Sequence, residues 1–204
     1  MKKYLVLLIT IISFAFMTSC NAKTISLPEK TNHEKVTVYL FRGKGCSHCA
    51  DFLTYFSSRY KKYEDYFEIV AYESWNNEDN QKLMLAIKEQ LGEEANGSVP
   101  FIVIGSDYHL SGFGSKAGEE IINAALEAYQ DKNYTDIVAK TIKSEKINPT
   151  KETLLEAAAA EDIIKLDETG EVKKGLSDGA IIGIIFGVII LGFAGLVIFS
   201  RKDR

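Results

Sequence analysis

The hydrophobic period changes abruptly at a pair of cysteines, and that break constrains the fold more than any other feature of the chain. Val36-Thr37-Val38-Tyr39-Leu40-Phe41 is β-branched and aromatic in character and stops at Arg42-Gly43, which reads as a buried strand. After Gly45-Cys46-Ser47-His48-Cys49, apolar residues fall at Cys49, Phe52, Leu53, Phe56 and Tyr60, the spacing of one face of a helix. A strand therefore runs within a few residues into a helix whose first turn carries both thiols.

The alternation continues. Phe67-Glu68-Ile69-Val70-Ala71-Tyr72 reads as a second strand, and Asn77 caps a helix with Leu83, Met84, Ile87 and Leu91 on one face, closed by Gly92. Phe101-Ile102-Val103-Ile104 is strand-like and begins just after Pro100, and Gly105-Ser106-Asp107 turns the chain toward Tyr108-His109-Leu110. Ser115 opens a last helix that buries Ile121, Ile122, Ala125, Leu126 and Tyr129. The order β-α-β-α-β-β-α predicts a single α/β domain over residues 35–130. Residues 131–166 are helical in propensity and weakly apolar; Asn148-Pro149 ends one helix and starts another, and Ala157 to Ala160 offer little to bury. They read as a helical stalk, or a small pack against the domain.

The overall 46% hydrophobic content conceals two apolar blocks, residues 4–17 and 179–200, and what remains is polar for a globular chain. This excludes a polytopic membrane protein. Lys2 and Lys3 followed by the first block give residues 1–19 the layout of a secretory signal, with 20–34 as a linker. Met17-Thr18-Ser19-Cys20 resembles a bacterial lipobox, with Met17 where leucine is usual, so Cys20 is a candidate lipid anchor. Residues 179–200 carry no charge and at ~1.5 Å per residue reach about 33 Å, enough for one transmembrane helix. The polar linker 167–178 precedes it, and the basic tail 201–204 places its end in the cytoplasm. Gly179, Gly183 and Gly187 recur at four-residue intervals and admit a homodimer through that helix. Leu166-Asp167-Glu168-Thr169-Gly170 resembles a Gram-positive cell-wall sorting signal, with Asp167 in place of proline. A retained membrane anchor is the preferred expectation and the cell wall the alternative. Both put the domain outside the cytoplasm. The net charge of −4 becomes −6 without Lys2 and Lys3, and no basic stripe appears, so a nucleic-acid partner is not expected.

A thiol in the first turn of a helix faces unpaired backbone amides and the positive end of the dipole, and both favour thiolate. Cys49, three residues on, reaches Cys46 and starts the apolar stripe, so Cys46 is the expected nucleophile and Cys49 the resolving thiol. His48 is expected to tune the Cys46 sulfur, and Arg42 and Lys44 to add modest surface charge. A purely structural disulfide would restrain little, because the loop is so short. Trp75 reads as locally packed, and His33 and His109 as surface or packing residues.

Strand, C-x-x-C at a helix start, Val99-Pro100 before a strand, and the element order together resemble the thioredoxin superfamily over residues 35–130. The resemblance implies a three-layer thioredoxin-like fold, a cis Pro100 lying against the cysteines, and a Val99 backbone that receives substrate as an added strand. Reducing thioredoxins have tryptophan before the first cysteine, Gly-Pro between the cysteines and a buried aspartate where this chain has Leu40. Here Gly45 and Ser47-His48 stand instead, which is more similar to exported oxidising members. Their inserted helical domain is missing, since residues 73–99 hold one helix. The implied activity is thiol–disulfide exchange without a cofactor. Its partners would be exported cysteine-containing proteins, a membrane redox partner and membrane lipid. Three alternatives stand beside it: a reductase for haem-protein maturation or repair, a Cu(I) carrier built from Cys46, His48 and Cys49, and an accessory role with an idle cysteine pair.

Overall fold

The computed structural model describes residues 25–30, 34–166 and 171–172. The expected signal segment, Cys20, His33, most of the sorting-like motif and the expected membrane span at 179–200 lie outside the described residues. No helix among the described residues is long and apolar enough to cross a membrane.

Five strands form one mixed sheet in the order β4-β3-β1-β2-β5: β1 (Val36–Arg42), β2 (Phe67–Glu73), β3 (Phe101–Ile104), β4 (Tyr108–Ser111) and β5 (Glu152–Thr153). β1 lies at the centre, parallel to β2 with Val36 opposite Phe67, and antiparallel to β3 with Phe41 opposite Phe101. All seven of its residues are buried, as a strand covered on both faces requires. The helices are α1 (Ser47–Arg59), α2 (Glu78–Gln90), α3 (Ala117–Gln130), α4 (Ile137–Glu145) and α5 (Leu154–Ala160).

The period-two alternation of the strands sorts side chains into two cores. Val36, Val38, Leu40, Ile69, Ala71, Ile102 and Ile104 face one layer, which holds Phe52, Leu53 and Phe56 of α1, Ile121, Ile122 and Ala125 of α3, and Leu154 and Ala157 of α5. Tyr39, Phe41, Tyr72, Phe101 and Val103 face the other, which holds Leu83, Met84 and Ile87 of α2 and Val138 of α4. The result is three layers, helix–sheet–helix. Local signals behave as expected where the chemistry is local. Asn77 Oδ1 accepts from Asn80 N at 2.9 Å at the start of α2, and Gly92 follows its end at φ 74°.

Two expectations need correction. Ser115 does not cap the last helix of the 35–130 unit. α3 begins at Ala117 after Lys116, with no side-chain cap, and Glu119 and Glu120 supply the negative charge favoured in a first turn.

The larger correction concerns residues 131–166, which do not project as a stalk. α4 packs on α2; β5 adds to the sheet edge, with Val70 opposite Thr153 and Ala71 opposite Glu152; and α5 lies on α1 with Leu154, Ala157 and Ala158 buried. The alanines that looked too small to bury are what let α5 approach α1 closely. A capping box fixes the start of α5: Glu156 N donates to Thr153 Oγ1 at 3.2 Å, and Thr153 N to Glu156 Oε2 at 2.7 Å.

Candidate active site

β1 leaves the sheet at Arg42 and reaches α1 through Gly43-Lys44-Gly45. Gly45 adopts φ 78°, a conformation that glycine enters without steric cost. Gly43 is needed for a different reason, since a Cβ there would overlap the Trp75 ring. Cys46 N donates to Gly43 O at 3.2 Å, so the turn closes on itself and delivers Cys46 as the N-cap of α1.

Cys46 and Cys49 form a disulfide with their Cα atoms 5.2 Å apart. Cys49 N donates to Cys46 Sγ at 3.3 Å, so a free helix amide points at the outer sulfur. Cys46 is 9% exposed and Cys49 only 1%, which orders the two sulfurs as outer and inner.

The Val99-Pro100 bond is cis, and Val99 O lies 3.8 Å from Cys46 Sγ. The loop carrying Val99 is held from behind by Lys88. Its buried ammonium donates to Asn96 O at 3.0 Å, Asn96 Oδ1 at 3.1 Å and Ser98 O at 2.9 Å, and lies 5.0 Å from the centre of the Phe101 ring. Burial lowers the pKa of Lys88 from its ordinary value. Trp75 joins the two loops. Its ring covers Gly43, its Nε1 donates to Gly97 O at 3.1 Å, and it remains 49% exposed. The structure thus brings Cys46, Cys49, Val99 and Pro100 together.

His48 lies in the first turn of α1 on the solvent side. Its exposed ring pairs with Asp51, Nδ1 to Oδ2 at 3.6 Å, one turn along α1, and no hydrogen bond to the Cys46 sulfur is formed. His109 pairs with Glu93 at 3.0 Å, away from the cysteines in sequence and on β4. Among the described residues no cluster of three His, Cys, Asp or Glu side chains is arranged to hold a metal ion.

Arg42 departs from its expected role as a surface charge. It is 2% exposed and ends β1 inside the protein. Its Nε and Nη2 donate to Glu152 Oε2 and Oε1, each at 2.9 Å, and its Nη1 donates to Glu161 Oε1 at 2.7 Å. The other oxygen of Glu161 accepts from Gly45 N at 3.1 Å, the residue before Cys46. Glu73 holds the neighbouring amide: Lys44 N donates to its Oε1 at 3.2 Å, and the same carboxylate takes the amides of Trp75 and Asn76. Two carboxylates, from the end of β2 and the residue after α5, thus take consecutive N–H groups of the active turn. Neither Glu152 nor Glu161 was singled out in the sequence. Their separations from Arg42, 110 and 119 residues, leave no local signal.

No family model, characterised protein or solved structure matches this chain. What stands is a mixed α/β domain with a C-x-x-C pair at a helix start, compatible with a thioredoxin-like fold and with a redox-active site.

Proposed function

We propose that the chain is a thioredoxin-like thiol–disulfide oxidoreductase acting on cysteine-containing proteins. The observation that carries this is the apposition of the outer sulfur and the loop before Pro100, with Cys46 Sγ 3.8 Å from Val99 O. A client strand lying along Val99 would present its own sulfur to Cys46. A structural disulfide needs neither that loop nor an amide directed at one sulfur.

In the oxidising direction a client thiolate attacks Cys46 Sγ, the Cys46–Cys49 bond breaks, and Cys49 leaves as thiolate. A second client thiolate then attacks the client sulfur of the mixed disulfide and releases Cys46. The client loses two electrons and two protons, and the pair gains them. The reducing direction runs the same steps backwards, with Cys46 as nucleophile and Cys49 resolving. The Cys49 amide and the helix dipole stabilise the Cys46 thiolate, and so the reduced form, which favours the oxidising direction. The apolar blocks at 4–17 and 179–200 support a membrane-tethered, extracytoplasmic location, where exported proteins are the clients and a membrane redox partner restores the pair.

The test is trapping. Cys49→Ser in the full chain, reduced, should accumulate a mixed disulfide with a disulfide-containing model protein, Cys46 attacking and one client sulfur leaving as thiolate, and Cys46→Ser should accumulate none. Equal behaviour of the two variants would refute the assignment. The reduction potential then fixes the direction: near ~−120 mV for an oxidant, near ~−270 mV for a reductant.

A further inference from the structure

The charged groups around the active turn come from every element that packs on it. β1 supplies Arg42, the turn itself Lys44, the end of β2 Glu73, and α1 the exposed pair His48 and Asp51. β5 supplies Glu152, the residue after α5 supplies Glu161, and α2 supplies the buried cation Lys88 behind the loop whose Val99 O lies against Cys46. Of these, Glu161 alone binds both the buried guanidinium and the backbone next to the nucleophile. Its side chain is one-tenth exposed, so solvent screens it little. Covalent geometry bounds its distance from Cys46 sulfur. Adding the 3.1 Å contact at Gly45 N to the chain from there to Sγ gives at most about 11 Å.

We infer that Glu161 is a positioning and redox-tuning residue, through which the C-terminal segment 137–161 sets the acidity of Cys46. The inference rests on the exchange activity proposed above and goes further by naming what adjusts it. Arg42 is shared between two carboxylates, so the trio, with Arg42 buried and Glu152 and Glu161 partly so, carries one net negative charge on the protein side of the turn. That charge opposes ionisation of Cys46, against the helix amide and dipole that favour it. The segment therefore holds the pair less oxidising than the helix start alone would make it, and at the same time fixes Gly45.

The size follows from Coulomb's law. Unit charges about 11 Å apart at an effective dielectric constant of about 20 change an ionisation equilibrium by about tenfold. Glu161→Gln removes the charge and keeps an oxygen that can accept from Gly45. Glu161→Asp keeps the charge and shortens the reach. Both leave Arg42 its two bonds to Glu152, so the fold has a way to survive.

The experiment measures the pH profile of Cys46 alkylation by iodoacetamide in the reduced full chain with Cys49→Ser as background. This readout does not depend on turnover. Glu161→Gln should lower the midpoint by about one pH unit, and Glu161→Asp should leave it near the parent value. A Glu161→Gln midpoint equal to the parent's, with or without a loss of stability, overturns the inference. Failure of the parent chain to exchange disulfides refutes the activity instead, and is read in a separate assay.

Discussion

Replacing Arg42 by methionine should destabilise the protein severely, and the structure sets the size of the effect. The substitution fills most of the volume of the arginine stem but deletes three hydrogen bonds to two carboxylates, at 2.7–2.9 Å. Removing one member of a buried ion cluster costs about 3–5 kcal/mol, because the charges left behind lose their partner. Glu152 softens this. Its side chain is 25% exposed, along an open cleft of about 560 Å³ that Arg42, Lys44, Glu73 and Glu152 line, so it can regain water. Glu161, at 10%, cannot do so as easily. The expected loss is therefore about 3 kcal/mol, the lower end of that range. Urea unfolding followed by Trp75, the one tryptophan of the chain, measures it beside the active turn. Adding Glu152→Gln and Glu161→Gln to Arg42→Met should restore more than half of the loss, since neutral amides can be buried at far lower cost than unpaired charges. A loss below about 1 kcal/mol, the range of an exposed pair, would refute the reasoning. So would a triple variant no more stable than the single one, which would assign the cost to packing.

Three further outcomes are expected. Gly43→Ala should displace the Trp75 ring, seen as a shift in its fluorescence maximum, and slow exchange with protein clients; an unchanged spectrum would contradict the close approach. Lys88→Met should raise KM for a protein disulfide several-fold while leaving exchange with glutathione near the parent rate, because Lys88 holds the loop before Pro100 and touches neither sulfur. An equal effect on both substrates would count against a client-binding role for that loop. At high pH, burial pushes Tyr60, Tyr72 and Tyr134 up to about 12. The folded protein keeps these protons where the unfolded chain, at 10.0, has lost them, so stability should hold below pH 10 and fall between pH 10 and 12. Tyr72→Phe should flatten that fall, and an unchanged slope would assign it to other groups.

Much of the site was legible because its determinants are local. The change of period at Arg42-Gly43 places Cys46 at a helix start whatever else the chain does, and an X-Pro pair just before a strand marks the second loop. The surroundings of His48 are a matter of direction that spacing does not carry. Spacing put it between the cysteines, but its position in the first turn lets it meet Asp51, three residues on, rather than the sulfur. Arg42 was misread because a charge that ends a strand looks like a surface charge until its partners arrive from more than a hundred residues away.

The sequence by itself determined the order of elements over residues 35–130 and the placing of the thiols, since periodicity and caps act over a few residues. Only the tertiary structure decided that residues 137–161 belong to the domain. That segment has little apolar area to announce its burial. It docks through small alanines that allow close approach, a two-residue edge strand, and a buried arginine that two distant glutamates satisfy. Charge pairing of that kind has no period, so it can be read only after the chain has brought the partners together.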